Sequence, residues 1–201
     1  MLCRMNPHGF YVFEGDHAVG KSTVMEAIAE VVPATVMQLP TAPIRDIADY
    51  IHSHSTSPAI LGYYLCAVAD ATPEIEAARN NSLILCHRYI LSSFALYASA
   101  ARLDLRGKDS FFIDFFKMIQ RQIARPDHTF FLTCDSSTRR ARIHADKPRP
   151  SRLANLNSLY SPAKEHALST LASYCIPSTA VDTTNRAVAS VVNQVLNVLR
   201  Q

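Results

Sequence analysis

Apolar residues in this chain fall into two kinds of segment that alternate. Five short runs, at 10–14, 34–38, 82–86, 128–133 and 178–181, are continuous rather than every-second-residue. Phe10-Tyr11-Val12-Phe13 and Leu83-Ile84-Leu85-Cys86 show the pattern most clearly. Such runs suit strands covered on both faces. Between them lie amphipathic stretches of helical period, at 23–32, 44–54, 59–79, 91–102, 110–124, 136–145, 158–174 and 186–199. This order predicts an α/β domain: a doubly wound five-stranded parallel sheet with helices on both faces and right-handed crossovers. Ligands collect at the carboxyl ends of the strands in such sheets. Those ends carry Glu14-Gly15, Gln38-Leu39, Cys86-His87-Arg88, Thr133-Cys134-Asp135 and Val181-Asp182.

The first of these ends has a chemical signature. Gly15-Asp16-His17-Ala18-Val19-Gly20-Lys21-Ser22 fits the P-loop pattern G-x-x-x-x-G-K-[ST] completely, between a strand-like run and a helix-like one. The glycines let the backbone curl its N–H groups around phosphate oxygens, and the following helix adds its positive end. Lys21 supplies a cation for the β- and γ-phosphates, and the Ser22 hydroxyl is a ligand for Mg²⁺. The motif assigns a nucleoside triphosphate, with Gly15 to Thr23 as its cradle. It does not say what is done with it.

Composition narrows the rest. The chain has 201 residues, nearly half of them apolar, which suits a single domain over 1–201 with a small lid at about 139–157. No apolar run is long enough for a membrane span, and residues 1–7 lack a secretory pattern, so the expected location is cytoplasmic with no membrane partner. The five cysteines are scattered without metal-ligand spacing, as in a reduced protein. A net charge of +3 gives no argument for nucleic acid. Charge is nevertheless concentrated: Arg139, Arg140, Arg142, Lys147, Arg149 and Arg152 share a stretch whose only acid is Asp146. Two prolines, Pro148 and Pro150, break any helix through it. A local cationic loop in a nearly neutral protein suits a polyphosphate partner.

Three anchors resemble the thymidylate kinase-like and deoxynucleoside kinase-like branch of P-loop kinases. They are Phe13-Glu14-Gly15 running into Gly20-Lys21-Ser22-Thr23; His87-Arg88-Tyr89 followed by Ser92, Ser93 and Tyr97; and Arg125-Pro126-Asp127 with the basic stretch beyond it. The resemblance implies ATP and Mg²⁺ as cofactors and a small nucleotide or nucleoside as the other partner. It also implies departures. The family's acid before Arg-Tyr is His87 here. Its phosphate-gripping Arg after the second strand falls near Gln38. Its base-reading Arg falls at Asp70, and an ionised carboxylate only accepts hydrogen bonds, which favours an amino-bearing base. The acid that holds a sugar hydroxyl is displaced by one place, so Asp16 or His17 takes that role. The family is often dimeric, and the apolar stretch 110–124 is either a homodimer contact or a buried core helix.

The remaining roles follow. Arg88 is expected to touch the acceptor phosphate or the transferred group. Arg139 and Arg142, three apart, share a helical face, and one of them is expected to reach the phosphates, with Arg140 in solvent. Arg149 could close over ATP. Glu14 either organises the P-loop or acts near Mg²⁺. His87 is a hydrogen-bonding stand-in for the acid, a water-mediated metal contact, or a satisfied strand-end histidine. Asp135 reads as a helix N-cap. Tyr63, Tyr64, Tyr89 or Tyr97 could flank a base, with Tyr64 and Tyr97 assigned to the acceptor site together with Asp16, His17, Gln38, Asp70, His87 and Arg88. The expected activity is phosphoryl transfer from ATP to a nucleoside monophosphate. The alternatives are a kinase of a nucleoside or other hydroxyl-bearing metabolite, and a nucleotide-binding regulatory protein.

Overall fold

The computed structural model describes residues 8–42, 44–145, 162–175 and 177–200. Five parallel strands, β1 (Gly9–Glu14), β2 (Thr35–Gln38), β3 (Leu83–His87), β4 (His128–Thr133) and β5 (Ser178–Asp182), form one sheet in the order β2-β3-β1-β4-β5. The helices are α1 (Lys21–Val31), α2 (Ala48–His54), α3 (Ser57–Ala78), α4 (Ile90–Ala100), α5 (Phe111–Gln120), α6 (Ser136–Ala145), α7 (Pro162–Ala172) and α8 (Val188–Leu199).

Side-chain alternation along the central strand divides the core in two. Phe10 and Val12 of β1 pack with Val68, Ile75, Phe94, Phe116 and Leu168, on the side of α3, α4, α5 and α7. Phe13 faces the other way, onto Met25, Ile28, Val191 and Val195 of α1 and α8. The expected doubly wound arrangement is what the chain adopts, and the continuous apolar runs have this two-sided burial as their cause.

Most boundaries fall within a few residues of the sequence reading. Residues 44–54 divide into a 3₁₀ turn, Ile44–Ile47, and α2. Stretch 110–124 is helical only over Phe111–Gln120, and Phe112 and Phe116 are buried while Phe111 is exposed. Of the expected lid, residues 139–145 belong to α6; Asp146 to Arg152, including Arg149, and the rest of 146–157 lie outside the described residues. Among the described residues no helix is long and apolar enough to cross a membrane.

Asp127 sits at the amino edge of the sheet, away from the P-loop. It accepts the Phe10 N–H at 2.7 Å and pairs with Arg79 at 2.5 Å. The Arg125-Pro126-Asp127 anchor therefore includes a structural clamp on the first strand.

Candidate active site

β1 lies between β3 and β4, so the chain turns to opposite sides of it, and the crevice at its carboxyl end is the switch point of the sheet. The P-loop fills this position. Its backbone adopts left-handed conformations at Gly15 (φ 130°), Ala18 (φ 57°) and Gly20 (φ 92°). Gly15 is doubly constrained, because a Cβ there would also collide with the Leu132 carbonyl of β4. Ser22 and Thr23 are exposed in the first turn of α1. The curl and the helix terminus together make a cradle suited to anionic oxygens.

Lys21 is buried, with Nζ donating to the Gly15 carbonyl at 3.1 Å and the Asp16 carbonyl at 2.5 Å. Burial and the nearby Arg88 push its pKa well below the ordinary lysine value, against the charges of Glu14 and Asp16. An ammonium held this way gains strongly from an arriving anion.

Arg88 follows β3 in a left-handed conformation (φ 66°), with its main-chain N–H on the Phe13 carbonyl at 3.0 Å. Its guanidinium donates to Ser92 Oγ at 2.9 Å, and Ser92 Oγ donates to Glu14 at 2.5 Å. Glu14 is completely buried and also accepts the N–H groups of Tyr89 (2.8 Å) and Ser92 (3.3 Å). Burial raises its pKa, partly offset by the Ser92 hydrogen bond and the Arg88 charge. Through these contacts Glu14 joins β1 to the start of α4 and steers Arg88.

Asp16 is the centre of a charge cluster. Arg139 of α6 reaches Asp16 Oδ2 at 2.8 Å, and Lys164 of α7 reaches Oδ1 at 3.1 Å. Burial alone would raise the Asp16 pKa; Lys164, the His17 N–H and Arg139 outweigh it and hold the carboxyl below its usual value. The shared face of Arg139 and Arg142 is real, but their tasks differ. Arg142 donates to the Ala18 carbonyl (3.2 Å), Thr183 Oγ1 (3.0 Å) and the Thr183 carbonyl (2.8 Å). These contacts brace the P-loop against the end of β5. Arg140 is exposed.

Lys164 and Thr183 were not legible as site residues from motifs. Lys164 did carry a signal: with Ala167, Leu168 and Leu171 it forms the buried i, i+3, i+4, i+7 stripe of α7. A lysine in an apolar stripe is a buried charge that must find a partner. Thr183, also buried, places Oγ1 2.9 Å from the Val19 carbonyl and 3.0 Å from that of Thr133, tying the P-loop to β4 and β5.

The acceptor candidates are less closely knit. Gln38 and His87 are register partners at the ends of β2 and β3, and Gln38 is exposed. His87 Nδ1 is buried with no hydrogen-bond partner among the described residues. Burial, then Lys21 and Arg88, lower its pKa to about 4. The surrounding protein and the cations Arg88, Lys21 and Lys164 lower that of His17 to about 3. Asp70 is exposed on the outer stripe of α3 with Cys66 and Glu74, so its assignment as a base reader gains no support from the geometry. Tyr64 Oη lies 3.0 Å from His52 Nε2, and its ring meets Tyr63 edge-on at 5.1 Å. Tyr97 stacks on Phe112 at 5.3 Å as part of the core, and Tyr89 donates to the Ala124 carbonyl at 3.1 Å. The Tyr89 ring is buried, edge-on to Phe10 at 5.2 Å. Asp135 accepts the Thr138 N–H at 2.6 Å and caps α6 as expected.

Among the described residues no group of three His, Cys, Asp or Glu side chains could hold a metal. The exposed Ser22 hydroxyl fits a cation that draws its other ligands from phosphates and water.

A P-loop on the central strand of this sheet, ringed by Lys21, Arg88, Arg139 and Lys164, defines the class: the protein is a P-loop nucleotide or nucleoside kinase. The model of the thymidylate kinase family matches residues 13–194, and the chain belongs to that family. No curated protein matches it by sequence. Among solved structures, it is similar to the thymidylate kinase of Candida albicans, with 18% identity, a TM-score of 0.71, and 96% of this chain and 92% of that one covered. A deoxyadenosine kinase of M. mycoides with bound dATP is similar at 16% identity and a TM-score of 0.62, over 96% of this chain and 100% of that one. These likenesses concern the fold.

Proposed function

We propose that this protein transfers the γ-phosphoryl group of MgATP to a nucleoside monophosphate, within one domain whose basic segment begins in α6. The P-loop backbone and Lys21 would hold the β- and γ-phosphates, and Ser22 would contribute the protein's direct ligand to Mg²⁺. The ion, when bound, neutralises phosphate charge. Arg88, aimed by Ser92 and Glu14, stands at the acceptor side of Lys21. Phosphoryl transfer asks the protein for alignment and for charge neutralisation, which this ring of cations supplies.

The observation that carries the choice of acceptor is that, among the described residues, the acids and histidines beside the P-loop are held in ways that leave none of them a ready base. Glu14 is sealed by three hydrogen bonds. Both carboxylate oxygens of Asp16 are in ion pairs. His87 and His17 are kept neutral and weakly basic by burial and, after it, by the neighbouring cations. A hydroxyl acceptor needs a base near its proton; a phosphate acceptor is already nucleophilic. A protein that only binds nucleotide has no need of the further cations gathered around the P-loop.

ADP release in the presence of MgATP, measured across a panel of nucleosides and their monophosphates, tests this reading. Turnover dependent on a monophosphate is expected. Turnover with nucleosides alone, or none with any acceptor despite ATP binding, contradicts it.

A further inference from the structure

The sequence motifs account for Lys21, Arg88 and Arg139, but not for Lys164. We propose that Lys164 is a positioning residue of the transfer site, acting through Asp16 to fix the rim of the P-loop and, with it, Lys21. This rests on the kinase reading above and adds a residue to it.

Three observations carry the inference. Lys164 is 5% exposed, on the face of α7 whose other members are Ala167, Leu168 and Leu171. An apolar side chain would pack there without needing an ionised partner. The partner it uses is not a neighbouring acid on its own helix but Asp16, 148 residues away in the P-loop. Asp16 is in turn held from three directions: Lys164 on Oδ1, Arg139 on Oδ2, and Lys21 on its main-chain carbonyl at 2.5 Å. The carboxylate therefore has no freedom to rotate toward Lys21.

Removing Lys164 releases one of these constraints. With Oδ1 released, the carboxylate keeps only Arg139 and the His17 N–H as tethers and can turn toward the Lys21 ammonium, cancelling charge that the transferred group needs. Lys164 keeps the one ionised carboxylate of the P-loop out of the phosphate path. Its own charge, close enough to Arg88 for the two to repel, adds to the positive field of the site.

The test compares the full-length wild type with K164M, K164R, D16N and the D16N/K164M double variant. The readouts are kcat, both KM values, calorimetric MgATP affinity and melting temperature. K164M is expected to lower kcat about ten-fold or more, and K164R to restore most of it, as for an effect of charge placement. Because Lys164 acts through Asp16, the double variant is expected to be no worse than the poorer single variant. A K164M enzyme with wild-type kcat, or effects that multiply in the double variant, overturns the proposal. If K164M does not fold, Asp16→Glu tests the same contact from the other side. It keeps the charge but lengthens the arm, so a comparable loss of kcat at unchanged melting temperature is expected, and unchanged kcat overturns the proposal. A wild type that shows no acceptor-dependent ADP release defeats the kinase reading instead. The same cycle is then read in MgATP affinity, where non-additive losses support the Lys164 contact and additive ones overturn it.

Discussion

Two halves of one sheet edge use their polar groups in different ways. In the P-loop half, charged side chains are already committed to protein partners. Asp16 holds two cations, Lys21 rests on two carbonyls, and Arg142 binds the loop to Thr183. In the half formed by the ends of β2 and β3, Gln38 is exposed and His87 Nδ1 has no partner among the described residues. The contrast teaches how the site is divided. The first half is assembled before any ligand arrives; the second presents polar groups for a ligand to complete.

The largest effect should come from the assembled half. Lys21→Ala removes the cation that follows the γ-phosphate, and kcat/KM is expected to fall by about 10³-fold. ADP release is the check, and a loss under ten-fold would separate this loop from the chemistry. Next comes Arg88→Ala, expected to lower kcat by about 10²-fold with a smaller change in the KM for ATP. If the effect fell on ATP binding alone, Arg88 would belong to the donor side, and the division between the halves would need redrawing.

The less committed half should respond in the opposite sense. Gln38→Arg places a cation beside His87, and with a monophosphate acceptor its KM is expected to fall several-fold. No change, or a preference shifting toward a nucleoside, would sharpen the comparison differently, by showing that the acceptor's phosphate does not lie near the end of β2.

A smaller effect concerns stability. His17 and His87 have native pKa values of about 3 and about 4, below the ordinary 6.5. As pH falls, the unfolded chain takes up protons first. The stability contributed by these neutral imidazoles is therefore complete above pH 6.5 and declines as pH falls from there toward 4 and then 3. The urea midpoint of the wild type is expected to drop over this range, and His17→Asn with His87→Asn to flatten the drop. An unchanged slope would show that these two imidazoles do not set the acid dependence.

The same division explains what could be read from the sequence. The strands were legible because burial on both faces leaves continuous apolar runs, and the P-loop because its curl demands particular residues at fixed spacing. Glu14 was visible as a strand-end acid, but only the fold brings Tyr89 and Ser92 to it. Arg139 and Arg142 were placed on one face by helical period, yet period says nothing about Thr183, which comes from another strand end and accepts from Arg142. Lys164 went unread in the sequence, where a charge on the apolar stripe of α7 was its one signal, and nothing there points to a partner 148 residues away. Asp70 was assigned by aligned position, and that assignment carried no information on where the helix turns its face.

The central claim is that the assembled cations serve transfer onto a phosphate rather than a hydroxyl. Phosphorus NMR of the products, with MgATP and a mixture of nucleosides and their monophosphates, tests it most directly. The account predicts new diphosphate resonances, from a phosphoanhydride formed on the monophosphate, appearing with ADP. A new monoester resonance from a phosphorylated nucleoside, with no added diphosphate beyond ADP, would contradict it.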